Sequence, residues 1–175
     1  MGFHHVAIAT RDLEASHRFY TEAMGLALVK VENAASPEGG WARHVFYDTG
    51  GGMLALWELH GEHVPNFDPA ISTGLGLPIW TNHLAFAADD LEALEAAKQR
   101  WLDHGHDVAE IDHGWCTSMY ATDPAGIMVE WCLTTREFTA ADRAGAVERL
   151  TTVEPPRTEG KRPTFHMADG RVLTG

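Results

Sequence analysis

The sequence predicts an α+β fold made of two tandem βαβββ modules. The first observation is an internal repeat: the segment that begins at His5, HVAIATRDLEA, returns at His83 as HLAFAADDLEA. The second is that each copy closes on a strand-like run with a carboxylate, Leu54-Ala-Leu-Trp-Glu58 in one and Ile127-Met-Val-Glu130 in the other. One His and one Glu per copy can bring four metal-binding side chains together about a pseudo-twofold axis.

The first module covers residues 3–60. Phe3–Thr10 alternates as a strand and places His5 on one face with two alanines. A helix is predicted from Asp12, a suitable N-cap, to Met24, where Gly25 ends it. Three further strands are predicted at Leu26–Val31, Ala42–Asp48 and Gly52–Leu59, with a loop at Asn33–Gly40.

The second module, residues 82–134, repeats this order. Asn82–Ala88 is the first strand, and a helix is predicted over Asp90–His104 with Gly105 as its terminator. The turn Asp123-Pro-Ala-Gly126 separates the last two strands, as a hairpin requires. The remaining strands are predicted at Asp107–Ile111, Thr117–Thr122 and Ile127–Thr134.

Two segments lie outside the modules. Residues 61–81 connect the two modules. The segment His60–Trp80 is rich in Gly and Pro and is either a plain linker or a wall of the site. In the tail, residues 135–175, a short helix is predicted from Thr139 to about Leu150. The charged, Pro-rich stretch Glu154–Pro163 is expected to be extended, and Thr164–Gly175 to dock as an arm on the same or a neighbouring subunit.

Composition excludes several classes of partner. The net charge of −12 argues against nucleic acid and against an anionic membrane surface, because both need a basic face. The sequence has no apolar run near the roughly 20 residues that cross a bilayer, and its first residues enter a strand pattern without a secretory leader. With only two cysteines, Cys116 and Cys132, we expect a reducing, cytoplasmic setting.

Small residues flank both repeated histidines. Ala7 and Ala85 each follow a His at the second position, on the same strand face. A packed core would favour larger residues there, so we expect that this face lines a cavity for a small-molecule substrate.

With its doubled βαβββ unit, the chain resembles the vicinal oxygen chelate superfamily over about residues 3–134. That superfamily includes glyoxalase I, type I extradiol ring-cleaving dioxygenases, fosfomycin-resistance enzymes and bleomycin-binding proteins. The resemblance implies an open, eight-stranded, barrel-like cup around a divalent metal site, in a protein that forms a homodimer. The fold supports several reactions, so the residues at the site must decide between them.

The extradiol dioxygenases offer the leading interpretation. Their resemblance implies His5, His83 and Glu130 as ligands of Fe(II), with O2 and an aromatic diol, or a similar vicinal oxygen chelator, as substrates. The segment from Ile111 to Glu130 also matches their signature, in which His113 and Tyr120 are the discriminating positions. Tyr120 would hydrogen-bond a catecholate oxygen, and His113 would either act as an acid–base catalyst or stabilise bound oxygen species.

Glyoxalase I offers the alternative. It uses His and Glu from both modules, which adds Glu58 to the metal ligands and favours Ni, Zn, Co or Mn as a Lewis acid. Whether Glu58 binds the metal, accepts a hydrogen bond from a ligand or faces solvent stays open in the sequence. An antibiotic-binding or resistance protein is the third interpretation. A fosfomycin-type transferase ranks lower, because no run of Lys and Arg offers to hold a phosphonate.

Overall fold

The computed structural model describes residues 2–154, 157 and 160–175. Its strands are β1 (His5–Thr10), β2 (Ala27–Ala35), β3 (Trp41–Asp48), β4 (Met53–His60), β5 (His83–Ala87), β6 (Val108–Asp112), β7 (Cys116–Thr122), β8 (Met128–Thr134), β9 (Thr164–His166) and β10 (Val172–Thr174). Its α-helices are α1 (Leu13–Arg18), which continues as a π-helical stretch over Phe19–Ala23, α2 (Leu91–Asp103) and α3 (Ala140–Thr151); a 3₁₀ turn covers Thr73–Leu75.

The strands form two mixed sheets, which confirms the predicted α+β class with two βαβββ modules. The first sheet has the order β1-β4-β3-β2, and the second has the order β10-β9-β6-β7-β8-β5. In each module the first strand pairs in parallel with the last one, β1 with β4 and β5 with β8. The sheets curve into an open cup rather than a closed barrel. Within the described residues, no helix is long and apolar enough to span a bilayer.

The first helix of each module begins and ends where the sequence predicts. The carboxylate of Asp12 accepts a hydrogen bond from the Ala15 amide at 2.9 Å, and Asp90 caps α2 through the Ala93 amide at 2.8 Å. Each of these two helical segments ends just before a glycine, Gly25 or Gly105, whose φ is positive. A residue with a side chain rarely adopts such a φ. Local sequence signals therefore fix both helix ends.

The helix-covered sides of the two sheets share one core. Apolar side chains from both modules form a single buried cluster that includes Leu54, Trp101 and Val129. The Tyr20 hydroxyl reaches across it and donates to Asp123 Oδ2 at 2.8 Å. The strand faces that carry His5 and His83 are on the other side of their sheets, so both faces turn away from the common core.

Strand β2 differs from the sequence prediction, whereas the C-terminal arm follows one of the two predicted alternatives. Strand β2 runs on to Ala35 into the predicted loop, because its residues keep pairing with β3 up to Trp41. The arm at the C-terminus docks on its own chain, where β9 pairs with β6 and β10 pairs with β9. The sheet of the second module therefore has six strands rather than four. Of the stretch predicted to be extended, residues 155, 156, 158 and 159 lie outside the described part of the chain.

Candidate metal-binding site

Strand pairing in the second module brings a His and a Glu together. Glu130 pairs with Ala85 on one side and with Tyr120 on the other, so its side chain shares a face with His83 and Tyr120. His83 Nε2 lies 2.9 Å from Glu130 Oε2. Glu130 is 5% exposed, while His83 stays open to solvent. A buried carboxylate thus faces an accessible imidazole.

The tautomer of His83 is set by the chain just before β5. Its Nδ1 lies 3.1 Å from the carbonyl oxygen of Trp80, which can only accept, so Nδ1 carries the proton. In the neutral ring Nε2 then presents a lone pair towards the carboxylate. Two electron-donor atoms that face each other need a proton or a cation between them. The 2.9 Å separation is that of an N–H···O hydrogen bond through a shared proton, and it is also the separation expected of adjacent ligands about 2.1 Å from one metal ion.

Tyr120 and His113 continue the line of polar side chains away from His83 and Glu130. His113 Nε2 lies 3.1 Å from the Tyr120 hydroxyl. Burial, with a smaller contribution from the nearby Glu130 carboxylate, raises the pKa of Tyr120 to about 12. The phenol therefore stays protonated at neutral pH and keeps a hydrogen to donate. The structure brings together four of the residues singled out in the sequence.

An apolar cavity adjoins this polar line. Its volume is about 450 Å³. Besides His83, His113 and Tyr120, it is lined by Trp80, Ala109, Ile111, Met128, Pro163 and Phe165. Three of these residues, Trp80, Pro163 and Phe165, come from the connection and the arm, where no sequence motif indicated a role. Their contribution arises from tertiary packing.

The corresponding face of the first module carries His5 among aromatic rings. The His5 ring centroid lies 5.9 Å from that of Phe46 and 6.4 Å from that of His44. Ala7 pairs with Ala55, and Ala55 pairs with Phe46. The small side chains of Ala7 and Ala55 therefore lie beside the His5 ring and those aromatic rings on the same face. His44 stacks on Trp57 at 3.6 Å, and burial lowers the pKa of its imidazole.

Glu58 lies on the opposite face of the same sheet. Strands β1 and β4 pair without a break, with His5 opposite Met53 and Thr10 opposite Glu58. Because Glu58 lies an odd number of residues after Met53 and side chains alternate along a strand, Glu58 points to the face opposite that of Met53 and His5. The Glu58 carboxylate contacts Arg43 at 3.2 Å and His60 at 3.1 Å, on the side covered by α1. The register position that Glu130 holds in the second module is occupied in the first by Ala55.

The predicted ligands therefore fall into separate places in one chain. His83 and Glu130 are in contact, His5 is on the other sheet, and Glu58 is on the reverse side of that sheet. In the part of the chain that the structure describes, no three His, Cys, Asp or Glu side chains are close enough to hold one ion together. A complete ligand set requires a further donor beside His83 and Glu130.

Comparison with known proteins places this geometry in context. A family model described as the Glyoxalase/Bleomycin resistance protein/Dioxygenase superfamily matches residues 2–131. A search of curated protein sequences gives no match. A solved structure of a glyoxylase/bleomycin resistance protein/dioxygenase domain from Frankia sp. EAN1pec is similar at a TM-score of 0.57 and 21% identity, covering 77% of this chain and 98% of that one.

Two further solved structures have the same fold. Lactoylglutathione lyase from Agrobacterium tumefaciens aligns with a TM-score of 0.51 and 24% identity, over 75% of this chain and 92% of its own. TnmS3, an antibiotic binding protein from Streptomyces sp. CB03234, aligns with a TM-score of 0.52 and 17% identity, over 77% and 97%. At these identities the likeness concerns the fold alone.

Proposed function

Since the chain belongs to the glyoxalase/bleomycin resistance protein/dioxygenase superfamily, we propose that it is a metal-dependent, extradiol-type ring-cleaving dioxygenase for an aromatic diol. The observation that carries the proposal is that His83, Tyr120 and His113 line one apolar cavity, while the buried Glu130 carboxylate contacts His83 just behind it. One proposed metal ligand and the proton-handling groups thus face the same small space, and the second proposed ligand adjoins it. An aromatic substrate fits its apolar lining.

The third ligand in this proposal is His5 of a second copy of the chain. Both ligand-bearing faces turn away from the shared core, and each leaves apolar side chains partly open, such as Leu173 in one face and Leu59 in the other. A twofold dimer presents the first face of each copy to the second face of the other, so it forms two equal sites. Each site then holds two histidines and one carboxylate.

The ligand set decides which chemistry the metal supplies. His83, Glu130 and the partner's His5 would hold Fe(II) with positions left open, and the ion would supply binding sites for a diol and for O2. The protonated Tyr120 hydroxyl donates a hydrogen bond to a diol oxygen. His113, whose Nε2 lies 3.1 Å from the Tyr120 hydroxyl, accepts or returns a proton during ring opening.

A glyoxalase-like reaction needs a second carboxylate, and the placement of Glu58 disfavours it. Its carboxylate is engaged by Arg43 and His60 on the helix-covered side. The proposal therefore leaves Glu58 outside the metal set. Ligand sequestration without catalysis is a second candidate, because among the described residues of one chain only two of the proposed ligands, His83 and Glu130, lie together.

The test is metal content followed by oxygen consumption. Protein purified without oxygen and loaded with Fe(II) should bind iron and consume O2 with a panel of catechols. Glu130→Gln should lose both, whereas the matched Glu58→Gln should keep its iron affinity. Binding of catechols without iron or oxygen uptake would instead support sequestration. Turnover of a hemithioacetal with nickel, lost in Glu58→Gln, would refute the proposal in favour of a lyase.

A further inference from the structure

The C-terminal arm, residues 163–175, forms one wall of the cavity. This segment lies beyond residues 2–131, which the family model matches, so the shared fold does not account for it. Pro163 and Phe165 nevertheless line the same space as His83 and Tyr120. The arm is therefore a feature of this chain that touches the place where substrate would lie.

Several contacts hold the arm in position. Strand β9 pairs with β6, which places Phe165 beside Ala109 and His166 beside Val108. His166 Nε2 lies 2.8 Å from Glu110 Oε2, and the Ala168 amide donates to Asp107 at 2.8 Å. Because side chains alternate along a strand, the anchoring His166 and the cavity-lining Phe165 point to opposite faces. The anchor thus fixes where the phenyl ring stands.

The sheet register gives the distance from the arm to Tyr120, whose other neighbour in the same row is Glu130. One row across the second sheet runs Phe165, Ala109, Tyr120, Glu130. Strands are spaced about 4.8 Å apart, so Phe165 stands about 10 Å from Tyr120 along this row. Between them lies only the methyl group of Ala109. The row therefore has the polar Tyr120 and Glu130 at one end, the small side chain of Ala109 in the middle and the phenyl ring of Phe165 at the other end.

The volume of the cavity exceeds what a single diol ring needs. A closed apolar cavity of about 150 Å³ is enough to hold one benzene molecule. The cavity measures about 450 Å³, and the residues beside Phe165 are apolar. The surplus space is therefore suited to a second apolar group of about ring size.

From these observations, and resting on the proposed function, we propose that the arm selects the substrate: a diol ring binds near His83 and Glu130, and its aryl substituent lies over Ala109 against Phe165. The substrate class is then an aryl-substituted catechol. Phe165 acts as a specificity-determining residue. It is not required for the reaction on the diol ring itself.

The test compares two substrates in three variants. Phe165→Ala should lower kcat/KM for a phenyl-substituted catechol about tenfold, because loss of an apolar wall is felt by the group that it contacts. Its kcat/KM for unsubstituted catechol and its iron content should not change. Ala109→Leu, which fills the floor instead of removing the wall, should act in the same direction. Val172→Ala, an apolar truncation on the opposite face of the same arm, is the matched control.

The outcomes separate this inference from the proposed function. An equal loss for both catechols, or no loss for the phenyl-substituted one, overturns the role of the arm while oxygen uptake still supports the dioxygenase. If the wild-type protein consumes no oxygen, calorimetric binding of the same phenyl-substituted catechol decides. Binding weakened about tenfold by Phe165→Ala and not by Val172→Ala supports the arm. Binding that is absent, or equal in all variants, refutes it.

Discussion

A site shared between two copies predicts that two inactive variants restore each other. His5→Ala removes the donor on the first face, and His83→Ala removes the donor on the second. Each variant alone should lose iron and activity, because every site in its dimer lacks a ligand. In a mixed dimer, however, the intact His5 of one chain meets the intact His83 and Glu130 of the other. That dimer has one complete site and one site with both lesions.

The size of the recovery follows from symmetry. Random exchange of subunits in an equal mixture makes about half of the dimers mixed, and each of these has one working site of two, so activity recovers to about one quarter of wild type. Iron content per chain should recover by the same fraction. If a single chain held the whole site, every chain in the mixture would carry its own lesion and nothing would recover.

The assay is oxygen uptake with a catechol after unfolding and joint refolding of the two variants, with mass spectrometry to establish that mixed dimers form. The control pair is His83→Ala with Glu130→Gln. Both lesions lie on the second face, so no arrangement of their dimer contains a complete site and activity should stay absent. Mixed dimers that form without recovering activity, or a wild-type chain that is monomeric while active, would refute the shared site.

Three further results are expected. Tyr120→Phe should lower kcat about 10²-fold without changing iron content, because it removes only the hydroxyl that donates to substrate; an unchanged kcat would remove Tyr120 from the mechanism. Tyr20→Phe should cost about 1–3 kcal/mol in urea unfolding, because the buried Asp123 loses its partner across the core; a difference near zero would contradict this. Burial lowers the pKa of His106 from 6.5, so the unfolded chain binds more protons as the pH falls. The free energy of unfolding should therefore decrease as the pH is lowered below about 6.5. This decrease should be less steep in His106→Gln, whereas the exposed control His63→Gln should show the same decrease as the wild type.

The local part of the fold could be predicted because its signals are local. Strand alternation, the N-caps Asp12 and Asp90, and the glycines after the helices each act within a few residues. An arm that docks on the same or a neighbouring subunit was expected, but the strand with which it pairs could not be predicted in this way. The pairing of Phe165 with Ala109 joins segments that are more than fifty residues apart in the sequence. Neither segment carries a sequence signal that identifies the strand with which it pairs. The wall of the cavity was therefore missed.

The placement of Glu58 shows where a sequence signal was available. Leu54 and Leu56 are large and apolar, so they mark the buried side of β4, and Glu58 shares their parity. Glu130 has the opposite relation to its neighbours, because the buried Val129 alternates with it. Similar sequence endings thus place their carboxylates on different faces. Counting parity from the buried residues would have separated the two.

This difference between the copies has a chemical consequence. Where the second copy has Glu130, the first has Ala55, and the space above it is bordered by the rings of His5 and Phe46. The first face thus offers one imidazole and an aromatic wall, whereas the second offers the proposed ligands His83 and Glu130 and the proposed proton-handling residues Tyr120 and His113. Two such faces complement each other, while two copies of either one would not. A dimer that joins unlike faces can therefore form a three-ligand site with open positions, because the repeat has lost its symmetry at this one residue.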